Sequence, residues 1–290
     1  RFIKVACDWF AVEKTIVEEP KIKPFVRSDL EKLLILLGSM RDKGFEENYR
    51  ILQETEIGGE KASKFFARVY ESFLENLLPG NMSRLITQVI NGLGGKGMLV
   101  DMGSGTAFLG RNILTNGLPI TITNLDMNYD ALSHGRQIAE EKGLKQEYVT
   151  SDMGKSAFDS NRFDYVVASM SLNHQSLEER LTSLKECFRV IKLGGYVIIA
   201  ERGNYLTEEL KKRYLAGLEK LGARVAEISG HYTSKEGEFN AFIAVAQKTS
   251  EPYDNINPED FLYSNKQFRG RGTLKEWNPK GQRCETFIHE

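Results

Sequence analysis

Met98-Leu99-Val100-Asp101-Met102-Gly103-Ser104-Gly105-Thr106-Ala107 is the stretch whose reading decides the fold. An apolar strand ends in an acid, a Gly-x-Gly turn follows, and the chain re-enters a helical pattern. Glycine lets the backbone turn tightly and approach a ligand closely, and the first turn of the following helix has N–H groups with no partner inside the helix. Taken alone, the motif is an ordinary strand-to-helix turn. A dinucleotide site wants Gly-x-Gly-x-x-Gly, the third glycine allowing helix and strand to pack closely beside a pyrophosphate. Here that position is Phe108, which is expected to fill the space. A pyrophosphate also favours bare N–H groups, and the carboxylate of Asp101 would repel it.

The same carboxylate is an asset to a nucleoside that carries positive charge. S-adenosylmethionine (SAM) has an ammonium, a sulfonium and no phosphate, so the spacing favours SAM over a nicotinamide dinucleotide. Two further acids follow in order. Asp126 closes a second strand, about 25 residues on, where an acid can accept hydrogen bonds from both ribose hydroxyls. Met127 beside it offers an apolar surface to adenine. Asp152-Met153 closes a third strand, where the carboxylate could accept from the adenine amino group. The competing readings are a helix-capping acid at Asp126 and an N-cap or turn residue at Asp152.

The pattern around these motifs alternates. Strands are expected at 98–101, 120–125, 147–150, 163–168, 196–200, 223–228 and 239–246, with helices at 106–116, 129–142, 177–192 and 207–221. Such alternation predicts an α/β fold, a mostly parallel sheet with helices on both faces. The short polar turn 233–238 permits only an antiparallel last strand. Ser176 and Glu179 have capping-box spacing, and Gly194-Gly195 is expected to stop a helix before strand five.

Residues 1–94 read as a mostly helical N-terminal region. Ser28 and Glu31 are spaced as a capping box. A helix from 60 to 78 carries Phe65, Phe66, Val69, Tyr70 and Phe73 on one stripe, Pro79-Gly80 is expected to stop it, and Asn81 to cap the next helix. The expected organisation is therefore 1–94 helical cap, 95–248 core, and 249–290 irregular tail.

These residues together resemble the class I SAM-dependent methyltransferases. The likeness covers 98–248 and rests on ordered combination: Asp101-x-Gly103-x-Gly105, Asp126, Asp152-Met153, and the run Arg189-Val190-Ile191-Lys192-Leu193-Gly194-Gly195. That run looks like the "RVLKPGG" stretch of small-molecule members, with Leu193 in place of proline. Ser169-Met170-Ser171-Leu172-Asn173-His174 looks like the "S-x-x-L-x-H" of UbiE-like, methyltransferase type 11-like cores. The resemblance implies a Rossmann-like seven-stranded sheet with its last strand antiparallel. It places Asp101, Gly103 and Gly105 along the methionine part, Asp126 and Met127 at the ribose and adenine, Asp152 and Met153 at adenine, Ser169 beside the donor, and Tyr70 on a helix covering it. The departure is Ala107-Phe108, where many members continue with glycine.

Methyl transfer from a sulfonium is an in-line displacement, so the enzyme chiefly aligns the nucleophile and excludes water, and positioning alone can lower a barrier by about 7–11 kcal/mol. A base is needed only where the acceptor loses a proton. His174, on the loop after strand four, is the catalytic candidate; its alternative is a structural histidine. Glu201, at the end of strand five, could orient His174 or bind the acceptor; its alternative is a loop-capping acid. His134 and His231 read as surface residues. No His/Cys/Asp/Glu cluster has ligand spacing, so no metal is expected.

A 290-residue chain with 41% apolar residues can bury a full core. A net charge of −1 gives no global field for nucleic acid or an anionic membrane. Cys7, Cys187 and Cys284 are scattered, as suits free thiols in a reducing compartment such as the cytoplasm. No apolar run approaches the roughly 18 residues of a membrane span. Position 1 is Arg, so the chain is expected to be trimmed or cut from a longer one.

Three functions stay open at this point. The leading one is a SAM-dependent methyltransferase acting on a small-molecule or carrier-bound acceptor, with the N-terminal helices as its lid. The second is methylation of RNA or protein, for which Lys266, Arg269, Arg271, Lys275, Lys280 and Arg283, interleaved with Phe268 and Trp277, supply a basic-aromatic tail; acids in the same tail offset that charge. The third is a non-catalytic SAM-binding scaffold.

Overall fold

The computed structural model describes residues 26–40, 45–76, 78–203, 206–234, 237–252 and 256–263. The basic-aromatic tail at 266–283, Cys7 and Cys284 lie outside these residues. The described chain groups into two compact units, 26–66 and 67–263.

The first unit holds α1 (Arg27–Ser39), α2 (Phe45–Glu54) and the antiparallel pair β1 (Glu56–Ile57) and β2 (Glu60–Lys61), before α3 (Ala62–Asn76) begins. Leu30, Leu33, Leu34, Leu52, Ile57 and Phe65 are among its buried apolar positions. The expected capping box at Ser28 and Glu31 is not used: α1 starts one residue earlier, with Val26 as an N-cap that makes no side-chain bond.

The second unit is a Rossmann-like α/β layer structure. Its seven strands are β3 (Gly97–Met102), β4 (Ile120–Asp126), β5 (Glu147–Thr150), β6 (Phe163–Ser169), β7 (Ile191–Arg202), β8 (Ala223–Ser234) and β9 (Gly237–Lys248). They lie in the order β5-β4-β3-β6-β7-β9-β8, parallel except for β9, which is antiparallel to both neighbours. The helices are α4 (Leu78–Gly92), α5 (Phe108–Thr115), α6 (Tyr129–Glu141), α7 (Leu177–Val190) and α8 (Glu208–Lys220).

Side chains alternate across each strand, and the two sheet faces bury separate cores. Leu99, Ile122, Val167, Ile198 and Ala200 pack with Met82, Ile86 and Ile90 of α4 and Leu109 and Ile113 of α5. Val100, Leu125, Val166 and Ile199 pack on the other face with Leu184, Phe188, Tyr214, Leu218 and Phe261. By the same alternation Asp101, Asp126 and Arg202 share the first face, and Glu201 the second.

Two expected boundaries are corrected. Gly194-Gly195 is not a helix stop: α7 already ends at Val190, and β7 begins at Ile191, pairing with Phe163. Three extra residues then bulge out before Tyr165 meets Tyr196, and Gly194 takes φ +82° in that bulge. Nor does Pro79-Gly80 separate two helices. Both lie in the first turn of α4, where proline's missing N–H costs no helical bond. Asn81 is accordingly inside that helix rather than its cap.

Candidate active site

The carboxyl ends of β3, β4, β6 and β7 converge on one edge of the sheet, the edge where open α/β folds place ligands. After β3 the backbone reverses through Gly103 (φ +75°) and Gly105 (φ +55°). The turn is tied to its neighbour, since Gly103 N–H and Ser104 N–H both donate to Leu125 O at 2.8 and 3.0 Å. A side chain at Gly103 would meet Ser171 Cβ at 2.5 Å, so this turn packs directly against the loop after β6. Above Gly105 the nearest atom to such a side chain would be Tyr70 Cε1 at 3.5 Å, which makes Tyr70 the wall facing the turn.

Two acids sit beneath that wall. Asp126 accepts from Gly105 N–H at 2.7 Å and from Asn128 N–H at 2.8 Å, so it braces the glycine turn from β4. Asp101 is 3% exposed. Burial, then the neighbouring charge of Asp126, raises its pKa from 3.8 to about 7. Asp126 is raised as well, chiefly by burial, against the lowering effect of its backbone donors. Among the described residues no Lys, Arg or His forms an ion pair with either carboxylate. The side-chain oxygens of Ser104 and Thr106, buried in the same turn, have no hydrogen-bond partner among the described residues.

Tyr70 is held in place by a contact the sequence did not announce. Its neighbour Glu71 forms a salt bridge with Arg111 of α5, both side chains about 95% buried. Arg111 also donates to Thr106 O and to Gly135 O. The bridge fastens α3 to the helix that follows the glycine turn, and a buried pair of this kind is costly to break from one side. Burial raises the Tyr70 phenol to about 12, opposed by Arg202 and reinforced by Asp126, Glu71 and Asp101. It is a hydrogen-bond donor at neutral pH and not a base.

The close-packing glycine missing at Phe108 is supplied two residues later. A Cβ on Gly110 would lie 2.3 Å from Gln146 Oε1, 2.9 Å from Asn124 Oδ1 and 3.0 Å from Ile122 Cγ2. The helix therefore does approach the sheet, and Phe108 turns aside under the Arg111 guanidinium, 5.8 Å from its ring centroid.

The remaining expected residues fall into two groups. Met127 lies beside Asp126, half-buried at the end of β4. Asp152 accepts from Gly154 N–H at 2.7 Å, the bond of a turn residue. Met153 is buried, its position marked by a sulfur 3.6 Å from where a Gly103 Cβ would stand. Ser169 ends β6 beside Ala200 of β7. Met170 follows with φ +54°, its N–H donating to Ala200 O at 2.8 Å. A left-handed backbone at a bulky residue is sparsely populated and tends to mark functional loops.

His174 closes the single-turn helix Leu172–His174, part of its surface reaching solvent and the rest set against surrounding protein. The mass of protein around it, and secondarily the Arg202 guanidinium, hold its pKa below the ordinary imidazole value, so it is a neutral acceptor at physiological pH. Glu201 stands on the other sheet face with no exposed surface. Burial raises it to about 8, opposed by Arg180, the Tyr263 hydroxyl, the Asn173 backbone N–H and Arg202. Tyr263 Oη donates to it at 3.2 Å. Arg180 lies 4.0 Å from the Tyr263 ring centroid and donates to Leu172 O at 3.0 Å and Gln175 O at 3.1 Å. Glu201 thus belongs to a cluster that grips the His174 turn from behind.

His134 is half-buried in α6, and the His231 side chain lies outside the described residues. Among the described residues no group of three or more His, Cys, Asp or Glu could hold a metal ion. No helix there is long and apolar enough to cross a membrane.

Residues 99–195 match the family described as "Methyltransferase domain". The ubiquinone/menaquinone biosynthesis C-methyltransferase UbiE of Yersinia enterocolitica is 33% identical over 113 residues, 37% of this chain. The chain spans 44% of the length of that relative. A putative S-adenosyl-L-methionine-dependent methyltransferase of Methanococcus maripaludis superposes with a TM-score of 0.52 at 19% identity, over 68% of this chain and 98% of its own. The methyltransferase domain of the bacterial protein CtHen1 superposes with a TM-score of 0.52 at 14% identity, over 59% of this chain and all of its own. At these identities the two structures speak for the fold.

Proposed function

We propose that this chain, whose residues 97–248 form a class I SAM-dependent methyltransferase core, transfers a methyl group from SAM to a small-molecule or carrier-bound acceptor. The observation that supports it is the pair Asp101 and Asp126, two carboxylates under the glycine turn with no cation beside them among the described residues. Like charges brought together out of water are unfavourable until an opposite charge joins them. SAM is the donor that fits: it supplies that positive charge together with a ribose for Asp126 and an activated methyl group.

In this reading Asp101 and the Gly103-Gly105 turn hold the methionine part. Asp126 accepts from the ribose hydroxyls, and Met127, Asp152 and Met153 border adenine. Tyr70, fixed by the Glu71–Arg111 bridge, closes over the turn and excludes water, while Ser169 lies beside the donor. His174, neutral and partly exposed at the cleft, accepts a proton from an acceptor that must lose one. Similarity to UbiE, whose name records C-methylation in quinone biosynthesis, favours a small organic acceptor over a macromolecule.

Calorimetry with SAM and its demethylated product, S-adenosylhomocysteine, tests the reading directly. Wild type is expected to bind both. Absence of binding by folded wild-type protein overturns it. His174→Gln should leave nucleoside affinity unchanged and lower turnover about 100-fold or more, within the range general bases contribute; unchanged turnover would make His174 structural.

A further inference from the structure

The charges around the cleft are divided by strand. Reading across the carboxyl edge, β4 presents Asp126, β3 presents Asp101, β6 presents Ser169, and β7 ends in Arg202. Neighbouring strands are about 4.8 Å apart and residues rise about 3.3 Å along each; Ile198 is the β7 residue level with Asp101, so the Arg202 backbone stands roughly 16 Å from both Asp101 and Asp126, on the same face of the sheet. Arg202 lies two residues beyond Ala200, the last β7 residue paired with β6, and its partner on the other side is Ala241 of β9. Neither neighbour carries charge. Arg202 is half-buried, and among the described residues it has no hydrogen bond and no ion pair. The groups that feel its field are His174, Tyr70 and Glu201. The first two border the cleft, and the third is its chain neighbour on the opposite face.

We propose that Arg202 is an oxyanion-binding subsite for the methyl acceptor, selecting acceptors that carry a carboxylate or phosphate group. The inference rests on the methyltransferase reading for its biological meaning, but its physical content is local. A half-buried guanidinium with no hydrogen bond or ion pair among the described residues is open to an anion. Its planar fork matches carboxylate and phosphate oxygens in pairs, which a lysine cannot reproduce. The opposite end of the cleft is already negative. An acceptor lying with its anion on Arg202 and its reacting atom toward β6 is therefore oriented along the charge gradient, with His174 beside it. The same field repels amines, which sets protein lysines and other cationic acceptors apart from the proposed class.

The test observes the subsite without a known acceptor. Protein labelled with carbon-13 at the histidine rings is titrated with benzoate, phenyl phosphate, benzamide and benzylamine, with S-adenosylhomocysteine present and absent. The His174 ring signal is assigned by its disappearance in His174→Gln. Benzoate or phenyl phosphate is expected to move that signal saturably at roughly a tenth or less of the concentration needed by benzamide, the difference a charge-assisted hydrogen bond makes. Whichever of the two binds more tightly identifies the carboxylate or the phosphate ester as the preferred source. Arg202→Met should erase the difference between anions and benzamide, and Arg202→Lys should restore part of it.

Equal response to benzoate, phenyl phosphate and benzamide in wild type overturns the proposal, as does anion binding that survives Arg202→Met. Should Arg202→Met fail to fold, Arg202→Gln and the wild-type comparison still decide. Calorimetry of S-adenosylhomocysteine on the same samples keeps the two claims apart. A wild type that binds anions through Arg202 but no nucleoside would sink the methyltransferase reading alone, and the converse would sink only the subsite.

Discussion

Asp101 and Glu201 are both carboxylates buried at the tip of a parallel strand, and both have pKa values pushed far up by burial, to about 7 and about 8. Their surroundings are opposite. Asp101 faces a second carboxylate under an open glycine turn, and among the described residues no cation pairs with it. Glu201 is enclosed on the other sheet face by Arg180, Tyr263 and the Asn173 backbone, all of which favour its charged form. At Asp101 the neighbouring charge adds to the effect of burial; at Glu201 the neighbours offset burial only in part, and one oxygen, Oε2, is buried with no hydrogen-bond partner among the described residues. A buried acid with an upward-shifted pKa is therefore not by itself a mark of chemistry. What separates these two acids is the sign of the charge around them: a second carboxylate beside Asp101, a guanidinium and a hydroxyl beside Glu201.

The largest expected effect that sharpens this contrast is at Asp126, which closes the open arrangement. Asp126→Ala removes the acceptor proposed for the ribose and the brace on Gly105. Hydrogen bonds to a charged group contribute about 1.5–3 kcal/mol, so SAM affinity measured by calorimetry should fall on the order of 100-fold. Unchanged affinity would move the nucleoside elsewhere.

Asp101→Asn comes next, with effects of opposite sign on the free and bound protein. Its folded pKa lies above the unfolded 3.8, so ionising it costs stability. That cost is absent below about pH 4 and grows as pH rises to about 7, at about 1.4 kcal/mol for each pH unit. Removing it should raise the melting temperature of the ligand-free protein at pH 7, while SAM affinity drops about tenfold, or 1.4 kcal/mol. In wild type, a cationic ligand favours the ionised acid, so SAM should bind more tightly as pH climbs to about 7 and level off above. Proton release at pH 6, seen as a buffer-dependent binding enthalpy, would accompany it. A pH-independent affinity in this window breaks the comparison.

The division between what the sequence reveals and what it hides follows the same line. Strand-end acids and glycine turns are local, and Asp101, Gly103, Gly105 and Asp126 could be placed from spacing alone. The sheet was legible because short apolar strands alternate with amphipathic helices. Element edges were misjudged where tertiary pairing decides. Ile191 joins β7 because Phe163 is available to pair with it, and no local signal says that Gly194 will sit in a bulge rather than end a helix. The supporting contacts were invisible for a related reason. Glu71 meets Arg111 across 40 residues and Tyr263 meets Glu201 across 62. Tyr263 lies in a segment with no periodicity, and nothing in the local sequence marks Arg202. Only the register of β7 against β6 and β9 brings it to the carboxyl edge of the sheet, where it has no ion pair among the described residues. The close-packing glycine is in the sequence but was not recognised, because Gly110 serves where the dinucleotide pattern directs attention to position 108.

The smallest expected effect tests the closed half of the comparison. With its pKa at about 8, Glu201 is largely protonated at pH 7, and Glu201→Gln substitutes a group of nearly the same shape that still accepts from the Tyr263 hydroxyl. Stability at pH 7 should change by no more than about 1 kcal/mol, the net worth of one neutral hydrogen bond. SAM affinity should not move. The informative quantity is the pH dependence above neutrality. In wild type the raised pKa makes the protein lose stability as pH rises toward 8, and this loss persists with SAM bound, because the ligand sits on the other sheet face. Glu201→Gln should abolish it, whereas Asp101→Asn should leave it intact. If SAM instead suppresses the Glu201-dependent slope, Glu201 senses the ligand directly, and the line drawn between an acid that binds and an acid that supports would have to be given up.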